Sequence, residues 1–308
     1  MSGCSPATAI ALLALAPFVS ACGSSSPGPS HSAATQTHAA RREPRSPGPC
    51  GTAAAPPKAY KHVVWVVMEN HSYTDIIGAP DAPFENQLAA RCGSSSRSFG
   101  VTHPSLPNYI AMTSGSPQGV SDDRGPADHP LGAPSIFSQT NGDWRALEES
   151  MPSNCLLDNA GRYAPRHNPA AYYTSVKTEC GTRDVPLGSV PDVSASFTFV
   201  TPNLCSDTHD CDVKTGDAWL SAFLPKLFSS AEYRAGNTAL FLTWDEDDRK
   251  LKNQIPTLVM APSVRPGTAS TTRFDHYSML RTTEELLGLH PFLGNAAKAP
   301  SMRSAFNL

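Results

Sequence analysis

Four short stretches of this 308-residue chain carry side chains whose types and spacing could do chemistry. In "THPSLPNYIAMTSG", Thr102 to Gly115, Ser105 stands between two prolines at the entrance of a run with helical spacing. A helix N-terminus offers free backbone N–H groups and the positive end of the helix dipole, a favourable seat for an anion such as phosphate. A serine there is placed to attack phosphorus, with Asn108 able to donate to a phosphate oxygen and His103 able to orient or neutralise it. The same serine also reads as an ordinary N-cap. In "MENHSY", Glu69 and Asn70 pair a carboxylate with an amide oxygen, hard-ligand chemistry that suits a divalent cation; alternatively Asn70 caps a helix. In "TWDEDDRK", Asp245, Glu246, Asp247 and Asp248 repel one another unless a cation or a proton separates them. A solvated acidic turn is the plainer reading, but Glu69 and Asn70 at a neighbouring strand end shift the balance toward metal. In "PNLCSDTHDCDVKTGDAW", Asp207, His209, Asp210 and Asp212 lie inside or beside the loop that a Cys205–Cys211 bridge would close. Such a bridge restrains His209, which is useful for a catalytic or phosphate-binding imidazole, or it only secures a surface loop. His276, just before the last helical run, and His167, in "YAPRHNPAAYY", are further polar candidates, His167 for binding phosphate.

These residues need elements to hold them. "KHVVWVVM" from Lys61, "ASFTFVT" from Ala195, "TALFLTW" from Thr238 and "IPTLVMA" from Ile255 are unbroken apolar, β-branched runs, as expected of strands buried on both faces. Helical patterns start at Phe84, Asn108, Gly216 and Tyr277. Buried strands alternating with helices predict an α/β sandwich with a mostly parallel sheet, and in such sheets ligands bind beyond the carboxyl ends of the strands. Glu69 and Asn70, Asp207 to Asp212, and Asp245 to Asp248 all follow a predicted strand. Residues 120–190, rich in Pro, Gly and Asn, break the rhythm and read as long surface loops over one edge.

A formal charge of −3 and scattered Lys and Arg give no basic field for nucleic acid. At the start, "ATAIALLALAPFVSAC" is apolar but too short to span a bilayer and ends in small residues and Cys22, the pattern of a secretory signal over 1–22. "VSAC" also resembles a bacterial lipobox, although no Lys or Arg precedes the apolar run. The expected location is therefore the outer face of the membrane, anchored through lipidated Cys22, or the medium. Residues 23–57 hold almost no large apolar side chain and read as a disordered tether, leaving 58–308 as the folded domain. Six cysteines remain, an even set that suits disulfides in an exported chain. Proximity favours Cys205–Cys211, then Cys155–Cys180 and Cys50–Cys92.

From Lys61 to Leu289 the motifs "HVVWVVMENHSY", "THPSLPNYIAMTSG", "YAPRHNPA", "DTHDCDVKTGDAWL", "LFLTWDEDD" and "HYSMLRTTEELLGL" occur in an order that resembles the phosphoesterase family of bacterial phospholipases C and acid phosphatases, within the alkaline-phosphatase-like group. The resemblance is strongest to exported actinobacterial acid phosphatases of the phosphatidylinositol-3-phosphatase type. It implies a three-layer α/β sandwich and Ser105 as nucleophile through a phosphoserine. It implies Glu69, Asn70, Asp245 and Glu246, with Ser105 Oγ, as ligands of one divalent metal ion (calcium, magnesium or manganese), and His103, His167, His209 and His276 as surrounding histidines. His209 or His276 would protonate the leaving group. The implied substrate is a phosphomonoester, including a phosphoinositide headgroup; a phospholipase C-type phosphodiesterase and a non-catalytic phosphate- or metal-binding lipoprotein are the alternatives.

Overall fold

The computed structural model describes residues 48–308. Among the described residues nine strands form one sheet: β1 His62–Met68, β2 Gly93–Phe99, β3 Trp144–Glu148, β4 Asp184–Pro186, β5 Phe197–Thr201, β6 Thr238–Trp244, β7 Gln254–Met260, β8 Thr268–Ser270 and β9 Phe274–Asp275. Their order is β4-β3-β5-β1-β6-β7-β2-β8, with β9 also on β2. Neighbours from β4 to β6 run parallel, and β7 alone opposes the direction of the sheet.

Parallel strands covered on both faces need continuous apolar sequence, and Val63 to Met68 are fully buried. Successive side chains of a strand point to opposite faces, so two helical layers follow from β1 itself. Trp65 donates its indole N–H to Thr283 Oγ1 at 3.0 Å, in the helix His276–Leu287, which packs on the helix Ser105–Ser114. Met68, on the other face, lies against Gly216 of the helix Val213–Phe228, which packs on Pro83–Arg91. Trp65 meets Phe197 edge-on with ring centroids 4.9 Å apart. Burial of each large side chain here contributes roughly 1.5–3 kcal/mol.

Two expectations change. Residues 120–190 include β3 and β4, which extend the sheet by two strands, and the helix Lys177–Arg183 beside them. These strands are short and carry Arg145, Glu148 and Asp184, so no apolar run announces them. The folded domain also starts before residue 58. Cys50 is buried and joined to Cys92, Ala53 N donates to Pro262 O at 2.9 Å, and Tyr233 Oη donates to Pro49 O at 2.7 Å. One half-cystine thus ties small residues that could not bury themselves. Cys155–Cys180 and Cys205–Cys211 are the other two disulfides, as the spacing suggested. The signal and lipobox at 1–22, and the tether up to residue 47, lie outside the described residues.

Candidate active site

Sheet register brings the first two carboxylates together. Met68 of β1 pairs with Trp244 of the parallel neighbour β6, so the next residues, Glu69 and Asp245, emerge side by side at the carboxyl end. The ladder continues past the strands: Asp245 N donates to Met68 O at 3.0 Å and Glu69 N to Asp207 O at 2.8 Å.

The Ser105 helix supplies the opposing wall. Positions i, i+3 and i+4 share a helix face, and Ser105, Asn108 and Tyr109 all turn toward the carboxylates. Ser105 Oγ, 2% exposed, donates to Glu69 Oε2 at 3.0 Å, and Tyr109 Oη donates to Glu69 Oε1. Asn108 is a brace. Its Oδ1 accepts from the backbone N–H groups of Val101 and Thr102, each at 2.9 Å, while Nδ2 donates to Thr102 O, Pro104 O and, at 3.2 Å, Glu246 Oε2. The entrance loop is thereby clamped to the carboxylate cluster. The helix N-terminus is less open than the sequence suggested, because Leu106 N donates to Asp123 Oδ1 at 2.9 Å and Pro107 has no N–H.

Glu69, Asp245 and Glu246 are all buried. Burial raises Glu69 well above the carboxylate range, with the Asp245 and Asp207 charges adding to it. Burial likewise pushes Asp245 up to about 7, and burial with the Asp245 charge takes Glu246 up to about 9. Asp245 Oδ2 has no hydrogen-bond partner among the described residues. The carboxamide of Asn70 turns one terminal atom to within 3.2 Å of both Asp245 Oδ1 and Glu69 Oε2. As nitrogen that atom donates to both; as oxygen it completes an all-oxygen pocket. Crowded buried carboxylates with an orphaned oxygen and an adjacent amide fit a hard divalent cation, which would relieve their repulsion.

Only the first half of the acidic run faces this pocket. Asp247 folds the loop, its Oδ1 accepting from Arg249 N at 2.8 Å and its Oδ2 from Leu251 N and Asn253 N. Asp248 accepts from Ser72 Oγ and pairs with Lys250. Asp212 caps the Val213 helix through Thr215 N at 2.9 Å.

The histidines occupy four different settings. His167, expected to bind phosphate, is 2% exposed and sits behind Glu69, its Nε2 3.3 Å from Glu69 Oε1 and its Nδ1 3.3 Å from Asp207 Oδ2. Burial, then Arg166 and His209, holds its pKa well below the usual value, so it packs against Glu69 as a neutral ring. His276, expected to protonate the leaving group, is equally buried and donates Nε2–H to Asp245 O at 2.6 Å. That bond leaves it a brace of the β6 end rather than a proton donor to substrate. His103 stands at the edge, Nδ1 2.8 Å from Glu246 Oε2 and Nε2 3.3 Å from Asp247 Oδ1. His209 is exposed at the mouth; Nδ1 bonds Asp210 Oδ1 at 2.7 Å, and Nε2 lies 3.3 Å from Arg166 Nη2. Its loop is held by the Cys205–Cys211 bridge and by Thr208, whose Oγ1 donates to Glu69 O at 2.9 Å. Gly216 lets the next helix pass this loop, since a Cβ there would lie 2.3 Å from Thr208 Cγ2.

Sequence reasoning missed Tyr109, Asp123, Arg166 and Arg249. Tyr109 was accessible, being four residues beyond Ser105 in a helix; the others depend on how loops return to the site.

Comparison with known proteins agrees with this geometry. The phosphoesterase family model matches residues 79–290. The phosphatidylinositol-3-phosphatase of Mycobacterium tuberculosis is 37% identical over 260 residues, covering 81% of this chain and 84% of that protein. An acid phosphatase of Aspergillus fumigatus is 28% identical over 258 residues, 77% of this chain, which spans 56% of the fungal protein. In fold the chain is similar to a protein of the alkaline phosphatase superfamily from Vibrio parahaemolyticus, with TM-score 0.55 and 14% identity over 83% of this chain and 73% of that one. A match across most of the chain, together with a relative more than one-third identical, establishes that the chain belongs to the phosphoesterase family.

Proposed function

We propose that the protein is an exported phosphomonoesterase in which Ser105 attacks phosphorus and carries the phosphoryl group as a phosphoserine. The observation that carries this reading is the buried Ser105 hydroxyl, at the first turn of a helix and 3.0 Å from Glu69, set against the buried carboxylate of Asp245, whose Oδ2 has no hydrogen-bond partner among the described residues. A binding protein has no need of a nucleophile there. A divalent cation held by Glu69, Asn70, Asp245, Glu246 and Ser105 Oγ would lower the pKa of the serine hydroxyl and polarise a phosphoryl oxygen.

The chain's own groups handle the protons. Glu69 Oε2 accepts the Ser105 proton as Oγ bonds to phosphorus and the ester P–O bond breaks. Glu69 is held for this by Tyr109, whose ring stacks on His167, and the neutral His167 ring fills the space between Glu69 and Asp207. His209 is the group at the mouth that can give a proton to the leaving alkoxide. Its Nδ1 bonds Asp210 Oδ1 and its Nε2 accepts from Arg166 Nη2, so Nε2 is freed to pass a proton to the leaving group as Arg166 turns to the phosphoryl oxygens. Arg166 beside it draws the phosphoryl oxygens. In the second half, water attacks phosphorus and passes its proton to His209, while Glu69 returns a proton to Ser105 Oγ as phosphate leaves.

The name and identity of the M. tuberculosis relative support a phosphoinositide as substrate. Three disulfides support an oxidising, extracytoplasmic setting, as does the apolar leader ending at Cys22. Among the described residues no helix is long and apolar enough to cross a membrane.

The test is phosphate release from p-nitrophenyl phosphate by the full chain and by Ser105→Ala, with and without chelator. Release that falls by about three orders of magnitude in the variant, and that is lost on chelation in the wild type, is expected. Unchanged release from the variant removes Ser105 as nucleophile. Phosphocholine released from phosphatidylcholine with no phosphate from p-nitrophenyl phosphate would favour a phosphodiesterase, and equal phosphate affinity without release from either protein would favour a binding lipoprotein.

A further inference from the structure

The connection from β6 to β7 is charged and tightly pinned. Asp247 accepts three backbone N–H groups of the loop, Asp247 N donates to Asn253 Oδ1 at 2.8 Å, and Asn253 Nδ2 donates to Thr102 O at 2.9 Å. Arg249, Lys252 and Asn253 are held in the left-handed region, at φ of 68°, 55° and 62°. Side chains rarely adopt that backbone unless the surroundings impose it.

The result is a selective display of charge. Asp247 is spent on its own loop and Lys250 is paired with Asp248. Arg249 and Lys252 are exposed and have no carboxylate partner among the described residues. With Val101, Thr102, His103, Asn253 and Asp247, whose carboxylate is held by the loop's own N–H groups, they line an open cavity of about 450 Å³. His103 is the wall this cavity shares with the reaction centre: it lies two residues before Ser105 and its Nδ1 is 2.8 Å from Glu246 Oε2. A cavity beside an acidic pocket, with its two free cations on one rim, has the charge pattern of an anion seat.

We propose that Arg249 and Lys252 bind a second anionic group of the substrate, a phosphate or phosphodiester borne by the same polyol as the ester that Ser105 cleaves. This rests on Ser105 being the nucleophile. The shared chemistry fits either a soluble bisphosphorylated polyol or an inositol-lipid headgroup, whose diester is the second anion. Arg249 supplies a planar fork suited to two phosphate oxygens, and Lys252 a movable point charge.

The experiment compares the full chain, Arg249→Gln/Lys252→Gln and a control, Lys250→Gln, on three substrates. These are p-nitrophenyl phosphate, inositol 1,3-bisphosphate, and phosphatidylinositol 3-phosphate in phosphatidylcholine vesicles. The double variant is expected to lose roughly tenfold in kcat/KM on the bisphosphate, mostly through KM, the size of two screened charge contacts. On p-nitrophenyl phosphate it should stay within about twofold, and Lys250→Gln should follow the wild type throughout. Loss on the soluble and lipid substrates alike identifies the headgroup as the source, and loss on the soluble one alone identifies a free polyol. Loss confined to vesicles overturns the subsite in favour of attraction to the membrane surface. Equal loss on p-nitrophenyl phosphate overturns it too, because Arg249 and Lys252 would then act on the reaction centre itself. Should the wild type release no phosphate from any of the three, the failure lies with the phosphatase reading and not with the subsite.

Discussion

Asp184, at the start of β4, should make the protein more stable in acid than at neutral pH. The residue is fully buried; its Oδ2 accepts from Asn168 Nδ2 at 2.9 Å, and its Oδ1 has no partner among the described residues. Burial pushes its pKa up to about 7 from an ordinary 3.8. Glu148, on the same face of neighbouring β3, is also fully buried and raised, by burial and then by the Asp184 charge. Both groups are readily protonated when folded, so the native chain binds more protons than the unfolded chain. A raised pKa gives stability that is whole below the unfolded value and is lost as pH climbs through the folded one. For Asp184 the window runs from about pH 4 to about pH 7, and the change corresponds to roughly 4 kcal/mol. Asp184→Asn keeps the acceptor for Asn168 and removes the titration. Urea unfolding of both proteins with disulfides intact, followed by tryptophan fluorescence from pH 4.5 to 8, measures the difference. The variant should exceed the wild type by about 1 kcal/mol near pH 4.5 and by roughly 4 kcal/mol near pH 8. Equal pH slopes for the two proteins would show that Asp184 does not carry a proton in the native state, and the reasoning from its burial would fall.

Two further outcomes test the reaction centre. Asp123 Oδ1 occupies the Leu106 N–H, a donor that a phosphate oxygen can use at a helix N-terminus; Asp123→Ala should therefore tighten inhibition by inorganic phosphate by about tenfold, one charge-assisted hydrogen bond, whereas an unchanged inhibition constant means no competition. Titrating magnesium, calcium or manganese into chelated protein should raise the midpoint of thermal unfolding, by about 2.7 kcal/mol of stability at one hundred times the dissociation constant. The same titration of Asp245→Asn should give a much smaller rise, and equal rises would place the cation elsewhere.

How much was legible in the sequence follows from where charge sits relative to apolar runs. β1 and β6 are visible because strands buried on both faces must be apolar throughout, and a carboxylate directly after such a run, as at Glu69 and Asp245, has few structural uses. β2, "GSSSRSF", is invisible by the same rule. It holds its place by pairing with β7, β8 and β9, and by Gly93, where a Cβ would lie 2.5 Å from Phe306. Cys50 shows a similar limit, since its covalent partner and not its neighbours' composition puts residues 48–57 with the domain.

Residue type did not separate ligands from scaffolding within the acidic run. Asp245 continues the β6 ladder into the pocket and Glu246 follows it, bonded by Asn108, whereas Asp247 and Asp248, of the same chemistry and adjacent in sequence, serve the turn and a lysine. What divides them is what each side chain meets: Asp247 accepts from the N–H groups of Arg249, Leu251 and Asn253 as the loop folds back on it, and Asp248 accepts from Ser72 Oγ. The histidines divide in the same way. His209 keeps an open face because a disulfide holds its loop at the mouth, while His167 and His276 arrive on elements that pack inward and become supports for Glu69 and Asp245. A histidine in this family motif thus tells that the carboxylates need company, and the direction of the element bearing it decides whether it meets substrate or holds the residue that does.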